Sequence, residues 1–223
     1  MRILLIDTAL SLCTAAVFDD AQCLAVHSES MVKGHQERLA GFVRDAVAGS
    51  GAGFDALERI GVTTGPGSFT GLRVGLAFAQ GFGAALDRPV VGVSTLDALA
   101  ASIAPDRAPH DAVAALIDAR RGQVYARFWR HGIAVGPAEA LSLEVAAARI
   151  ADLGPGVTLV GSGAPLLAEA FSMALIDPLP GPAPEALARL VIAADARLSP
   201  PDPQYLRAPD ATPPTRMPGQ PRI

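Results

Sequence analysis

Two aspartates and a glycine-rich loop are the residues of this chain best placed to do chemistry. Asp7 closes the apolar run Ile3-Leu4-Leu5-Ile6, and Asp118 closes a second run that begins at Ala112. A strand-end aspartate can meet a phosphate or a metal ion, or it can cap the turn that follows. Between the two acids, residues 64–75 read Thr-Gly-Pro-Gly-Ser-Phe-Thr-Gly-Leu-Arg-Val-Gly. Glycine takes positive φ without steric cost and leaves the backbone bare to whatever lies against it, while Pro66 stiffens the loop. A loop of this kind between a strand and a helix can offer N–H groups to an anion, so Asp7, Gly65, Gly67, Ser68, Asp118 and Arg120 form a candidate nucleotide- or anion-binding set. The loop is neither a Walker A motif nor a Gly-x-Gly-x-x-Gly fingerprint. Arg120 has a second possible role, as a partner for another subunit's carboxylate. His35 would start a metal-binding helix only if a second ligand stood four residues on; that residue is Leu39. His27, His110 and His131 have no sequence-adjacent partner, so no metal site is expected. Ser68 and Ser94 lack a nucleophile elbow.

These residues need elements to position them. The spacing predicts strands over residues 2–8, 13–18 and 22–29, then an amphipathic helix over 35–48 with its apolar stripe at Leu39, Phe42, Val43, Ala46 and Val47. A strand at 59–64 leads into the glycine loop and a helix over 71–86, followed by a strand at 90–93 and a helix over 96–103. Three strands, helix, strand, helix is the order of a ribonuclease-H-like α/β unit. Residues 112–118 and 123–130 restart the pattern as strands. A helix over 143–153, a strand at 157–160 and helices over 165–174 and 184–196 follow. The expected organisation is an N-terminal lobe (1–104), a C-terminal lobe (105–197) and a Pro-rich tail (198–223), with a cleft between two Asp-ended strands as in actin-like ATPases. In the 71–86 helix, Gly71, Gly75, Ala79 and Gly83 fall four apart and form one ridge of small residues. A helix apolar all round is buried on every side, and the ridge can press on the chain's own sheet or on a partner subunit.

Half of the residues are hydrophobic, mean hydropathy is +0.34 and charged residues make up 18%. No run approaches the ~20 apolar residues of a membrane helix, and Asp7 interrupts what would otherwise resemble a short leader. A cytoplasmic location without membrane contact is expected. Net charge is −4, so the basic footprint of a direct nucleic-acid binder is missing. Cys13 and Cys23 fall in neighbouring strands and are expected as buried free thiols.

The chain resembles the TsaB/YeaZ family of bacterial tRNA threonylcarbamoyladenosine biosynthesis proteins. The residues that carry the resemblance are Leu4-Leu5-Ile6-Asp7-Thr8-Ala9, His35, the segment 64–75, Asp118-Ala119-Arg120-Arg121-Gly122-Gln123-Val124-Tyr125 and Pro203-Gln204-Tyr205-Leu206-Arg207. The resemblance implies a two-lobed actin-like (ribonuclease-H-like) fold and a non-catalytic role beside the relative TsaD, with the ATPase TsaE joining later. TsaD carries a metal-binding His-x-x-x-His where this chain has His35 and Leu39, so metal chemistry does not transfer. Asp7-Thr8-Ala9 also lacks the glycine that follows the phosphate-contacting acid of actin-like ATPases. ATP or ADP is therefore expected only at a joint with partner subunits, and the chain is expected to have no cofactor of its own. Family members pair through the first two N-lobe helices, with TsaD or, when alone, as a homodimer; tRNA is met only through the complex. Carried onto this sequence, the interface comprises His35, Leu39, Phe42 and Ala46 on the first helix. From the second it takes Gly71, Arg73, Val74, Gly75, Phe78, Ala79 and Phe82, which favours the partner reading of the glycine ridge. The alternatives are an actin-like ATPase or acyl transferase acting alone, a glycoprotease-like peptidase and a direct tRNA-binding module.

Overall fold

A computed structural model describes residues 1–31, 33–103 and 112–207. The expected lobe boundary at 104–111, with His110, and the tail beyond 207 lie outside the described residues. Strands β1 (Arg2–Asp7), β2 (Leu12–Asp19), β3 (Gln22–Ser30), β4 (Arg59–Gly65) and β5 (Val90–Ser94) form a five-stranded sheet in the order β3-β2-β1-β4-β5. β1 is antiparallel to β2 and parallel to β4. The central strand is covered on both faces, which is why it reads as a continuous apolar run rather than an alternation. Leu4 and Ile6 point toward α1 (His35–Gly49) and α2 (Phe69–Leu86), while Ile3 and Leu5 point the other way, as the two-residue period of a strand requires.

The second sheet repeats the plan. β6 (Ala112–Asp118) is antiparallel to β7 (Gln123–Arg130) and parallel to β10 (Thr158–Val160), which is parallel in turn to β11 (Leu175–Asp177). Two short strands, β8 (Ile133–Ala134) and β9 (Glu139–Ser142), pair with β7 where the first sheet has β3. The fold is thus a two-lobed α/β architecture of the actin-like, ribonuclease-H-like class, with β6 in the second lobe the counterpart of β1 in the first. α4 (Leu143–Leu153) covers the second sheet through Ala146 and Ile150. α3 (Thr95–Ala101) lies between the sheets, its Leu96 and Leu99 packing on Ala115, Ile117 and Val160.

The structure differs from the sequence expectation in several places, β8 and β9 among them. The segment expected to be a helix over 165–174 is a single 3-10 helix at Ala164–Leu167 followed by turns whose bonds all run from residue i to i+3, and it ends in β11, which the sequence did not signal. The last helix, α5 (Pro184–Ala193), packs not on the second sheet but on the first, where Leu187, Ala188 and Val191 meet Ile3, Leu5, Ala16 and Phe18. Gly61 makes that seat possible: a Cβ there would run into the Val191 side chain. Arg59 then closes the helix, its Nη1 donating to the carbonyls of Val191 (2.7 Å) and Ala194 (2.9 Å), acceptors that a helix end leaves unpaired. Finally, Cys13 is buried and Cys23 exposed, both as free thiols. Burial, with Asp7 and Glu29 nearby, pushes the Cys13 thiol up to about 11.

Candidate functional site

Two features of the surface can recognise something: a cleft between the lobes and an apolar groove on α1 and α2. The cleft, of about 590 Å³, is lined by Gly67 and Ser68 from the glycine loop, by Asp118, Ala119 and Arg120 from the β6–β7 turn, and by His35, Met31, Tyr125, Ser162 and Pro180. The glycines of the loop are spent on packing against the chain itself. A Cβ on Gly67 would strike the carbonyl of Ala9 and one on Gly71 the carbonyl of Thr8. The Ser68 N–H donates to Ala9 O at 2.7 Å, and the Thr8 hydroxyl donates to Gly71 O at 2.7 Å. The close approach that these glycines allow is therefore that of the chain's own backbone. Ser68 caps α2, its hydroxyl accepting from the Gly71 N–H. Gly65 faces elsewhere: its φ is 106°, and a Cβ there would lie 2.9 Å from Gln204 O.

Asp7 is 2% exposed and takes the turn-capping role. Its Oδ1 accepts from the Thr63 hydroxyl (2.7 Å) and from the Ala9 N–H (3.0 Å), while Oδ2 is buried without a partner. Burial pushes its carboxyl above the ordinary range, against the pull of Thr63, Ala9 and His35. Asp118 makes the same turn in the second lobe, accepting from the Arg120 N–H at 2.8 Å, and it remains at the cleft wall. The Arg120 guanidinium folds back onto Asp118 at 3.0 Å and is otherwise in solvent. Of the six candidate anion residues, Gly67, Ser68, Asp118 and Arg120 meet in the cleft, whereas Asp7 and Gly65 are turned away from it. Tyr125 and Ser162 complete the wall without having been expected there; Gly161 and Gly163, which let their loop lie against Leu116, are the only sequence signal for Ser162.

The eleven expected interface residues also divide. The ridge of Gly71, Gly75 and Ala79 points inward: Gly75 lies against the Thr8 side chain, Gly83 against Val90, and Ala79 is fully buried. This corrects their assignment to a partner interface, because a ridge of small residues seats α2 on its own sheet. Phe42 and Ala46 are in the same core, and His35 sits in the cleft with its Nε2 unpartnered. The outward face is the opposite stripe. Arg73, Val74 and Phe78 join Phe69, Thr70, Ala77 and Gln36 around a groove of about 490 Å³, with Leu39 at its floor. Phe82 continues the face, stacked on Phe78 at 5.6 Å and edge-on to Phe54 at 5.4 Å. Phe69 is 50% exposed, and an apolar strip of this kind rimmed by polar residues marks an interaction surface. At the position where a second metal-binding histidine would stand, Leu39 is 1% exposed in the core. Among the described residues, no group of three or more histidines, cysteines or acids could hold a metal, and no helix is long and apolar enough to cross a membrane.

Residues 24–136 match the model of TsaD, tRNA N6-adenosine threonylcarbamoyltransferase. The tRNA threonylcarbamoyladenosine biosynthesis protein TsaB of Escherichia coli (strain K12) is 39% identical over 125 residues, 56% of this chain and 53% of that protein. An uncharacterized protein of Mycobacterium leprae (strain TN) is 36% identical over 216 residues, 95% of this chain and 56% of that protein. The matched regions thus span little more than half the length of these two curated relatives. Among solved structures, an uncharacterized protein with similarity to peptidase YEAZ from Pseudomonas aeruginosa superposes with a TM-score of 0.76 at 30% identity, covering 92% of this chain and 99% of that one.

Proposed function

This chain belongs to the TsaB/YeaZ family, and from that premise we propose that it is a non-catalytic subunit in the biosynthesis of N6-threonylcarbamoyladenosine on tRNA. In this reading it docks on the catalytic subunit TsaD through α1 and α2, holds that subunit's cleft competent and contributes to the surface that recruits TsaE. The observation that carries the proposal is the outward stripe of α2. It offers Val74, Ala77, Phe78 and a half-exposed Phe69 beside Leu39 of α1, a surface fitted to another pair of helices. Burying apolar area there supplies about 25 cal/mol per Å².

The cleft supports a role without chemistry of its own. The glycines of the loop lie against the backbone of Thr8 and Ala9, and Asp7 is committed to Thr63 and the Ala9 turn. This supports a reading in which the chain holds no nucleotide of its own and any ATP or ADP belongs to the joint with the partner subunits. The same surface serves a homodimer when the partner is absent. The acidic balance supports a reading in which the rest of the complex contacts the tRNA. The test is formation of threonylcarbamoyladenosine on tRNA, read by mass spectrometry, with TsaD, TsaE and threonylcarbamoyl-adenylate in the presence or absence of this chain. Dependence on the chain that survives Asp118→Ala and Arg120→Ala is the expected result. No dependence refutes the assignment, and dependence lost in those variants makes the cleft a working site.

A further inference from the structure

We propose that Arg73, laid flat on Phe69 and anchored by the Tyr205 hydroxyl, is a preformed receptor for a carboxylate of the docking partner, and that the C-terminal strap of residues 199–207 sets it in place. The inference rests on the docking surface proposed above and names the chemistry by which that surface selects its partner.

The Arg73 guanidinium carbon stands 3.8 Å from the centroid of the Phe69 ring, and Arg73 Nε donates to the Tyr205 hydroxyl at 3.4 Å. The Phe69 and Tyr205 rings are 5.4 Å apart and tilted by 43°, so the three side chains form one cluster. An exposed arginine ordinarily keeps considerable rotamer entropy; this one is already held at the rim of an apolar groove. With Nε engaged, both terminal nitrogens remain, in the fork that suits a bidentate carboxylate. The other exposed arginines of this region spend theirs within the chain: Arg38 on Glu29 at 2.8 Å and Arg44 on Asp45 at 2.9 Å. Among the described residues, Arg73 has no acid within ion-pair distance.

The strap is built to hold Tyr205 there. Gly92 N donates to Ser199 O at 2.9 Å, Gln80 Nε2 to Pro201 O at 3.0 Å and Gln204 N to Thr64 O at 2.8 Å. Beyond Tyr205, the Arg207 guanidinium donates to Ala119 O at 3.2 Å and to Gln123 Oε1. Tyr205 is thus pinned on both sides, to the first lobe before it and to the second after it. This accounts for the Pro203–Arg207 motif, which the cleft does not use. An aromatic-supported arginine at the edge of an apolar patch has the composition of an interface hot spot, and its ordering lowers the entropic cost of docking.

The experiment measures binding of the full chain to the TsaD of the same genome by calorimetry, at two salt concentrations. The variants are Arg73→Gln, Tyr205→Ala, Tyr205→Phe and Phe78→Glu, and thermal melting is the control for folding. Arg73→Gln is expected to weaken binding by about tenfold or more and to flatten its salt dependence at an unchanged melting temperature. Tyr205→Ala, which removes both ring and hydroxyl, should weaken it less than Arg73→Gln, and Tyr205→Phe, which keeps the ring beside Phe69 but removes the acceptor for Arg73 Nε, should fall between Tyr205→Ala and wild type. If Phe78→Glu abolishes binding while Arg73→Gln binds as wild type with the same salt response, the carboxylate receptor is refuted and the docking face stands. If Phe78→Glu also binds as wild type, the docking face is misplaced and the receptor falls with it.

Discussion

Replacing Gly75 by alanine separates two explanations of the small-residue ridge. A Cβ at Gly75 would fall closer than 3.0 Å to the Thr8 hydroxyl oxygen, with Thr8 Cβ at 3.6 Å and Val62 Cγ2 at 3.7 Å. The last two are ordinary contacts; the first is not. The Thr8 hydroxyl is buried and donates to Gly71 O at 2.7 Å, so it cannot turn aside without losing that bond. Overpacking of this kind costs about 1–3 kcal/mol, and a buried hydroxyl left unpaired costs about as much again. Helix propensity returns about 1 kcal/mol. The balance is a destabilisation of about 3 kcal/mol, a drop of about 6–12 °C in melting temperature for a chain of this size. Gly81, on the exposed side of the same helix, would meet nothing within 4 Å of an added Cβ. Gly81→Ala should therefore stabilise by up to about 1 kcal/mol. In a Thr8→Ala background, Gly75→Ala should lose most of its cost, because only the 3.6 and 3.7 Å contacts remain. Circular dichroism melts of the four variants against wild type read all of this. If Gly75→Ala melts within about 2 °C of wild type and loses only its pairing with a partner, the ridge is an interface and the packing argument is wrong.

Three further outcomes follow from the same structure. Burial holds the folded-state Asp7 carboxyl above its unfolded value, so its contribution to stability is present below about pH 4 and is lost as pH rises through the folded value. Urea unfolding from pH 4 to 7 should show Asp7→Asn gaining on wild type as pH rises, and a pH-independent difference refutes the burial assignment. Asp97 of α3 and Arg127 of β7 join the lobes at 2.5 and 2.7 Å, with Asp97 raised by burial against the pull of Arg127. Arg127→Met should destabilise by about 1–3 kcal/mol, between an exposed and a fully buried pair, with Asp97→Asn recovering part of it; a loss below about 0.5 kcal/mol means the latch is idle. Arg59→Met removes the donor that closes α5 and should speed amide hydrogen exchange at residues 190–194. Unchanged exchange there would show that packing alone holds the helix.

Strands that must be buried on both faces announced themselves, as in residues 2–7 and 112–118, because continuous apolar runs bounded by acids have few alternative structures. Helix α1 was equally legible from its 3.6-residue period. The orientation of α2 was not. The ridge of small residues and the stripe of Val74, Phe78 and Phe82 compete for the inward side, and the seat of Gly71 and Gly75 on Thr8 decides it. The segment 165–174 is rich in helix formers, yet it is short and fixed at both ends, so tertiary constraint overrode propensity. The cleft was legible in Asp118 and Arg120 but not in Ser162, which is brought there by two glycines far from any motif. Asp7 could be read as a site residue or a turn cap from sequence, because the two roles use the same residue at the same place and differ only in where Thr63 lies.

The return of α5 to the first sheet has a consequence for how the chain is made. Ile3, Leu5, Ala16 and Phe18 leave the ribosome early, but the helix that covers them spans residues 184–193. At the usual ~5–20 residues per second of synthesis, that apolar face stays uncovered for roughly 10–35 s. The first lobe therefore cannot be completed as a unit while the nascent chain is short, and its closure joins the first strands to a helix made late in the chain. Such long-range closure is slow. An unfinished polypeptide of this protein is a natural client for a ribosome-associated chaperone, and a stalled one is a natural target for degradation.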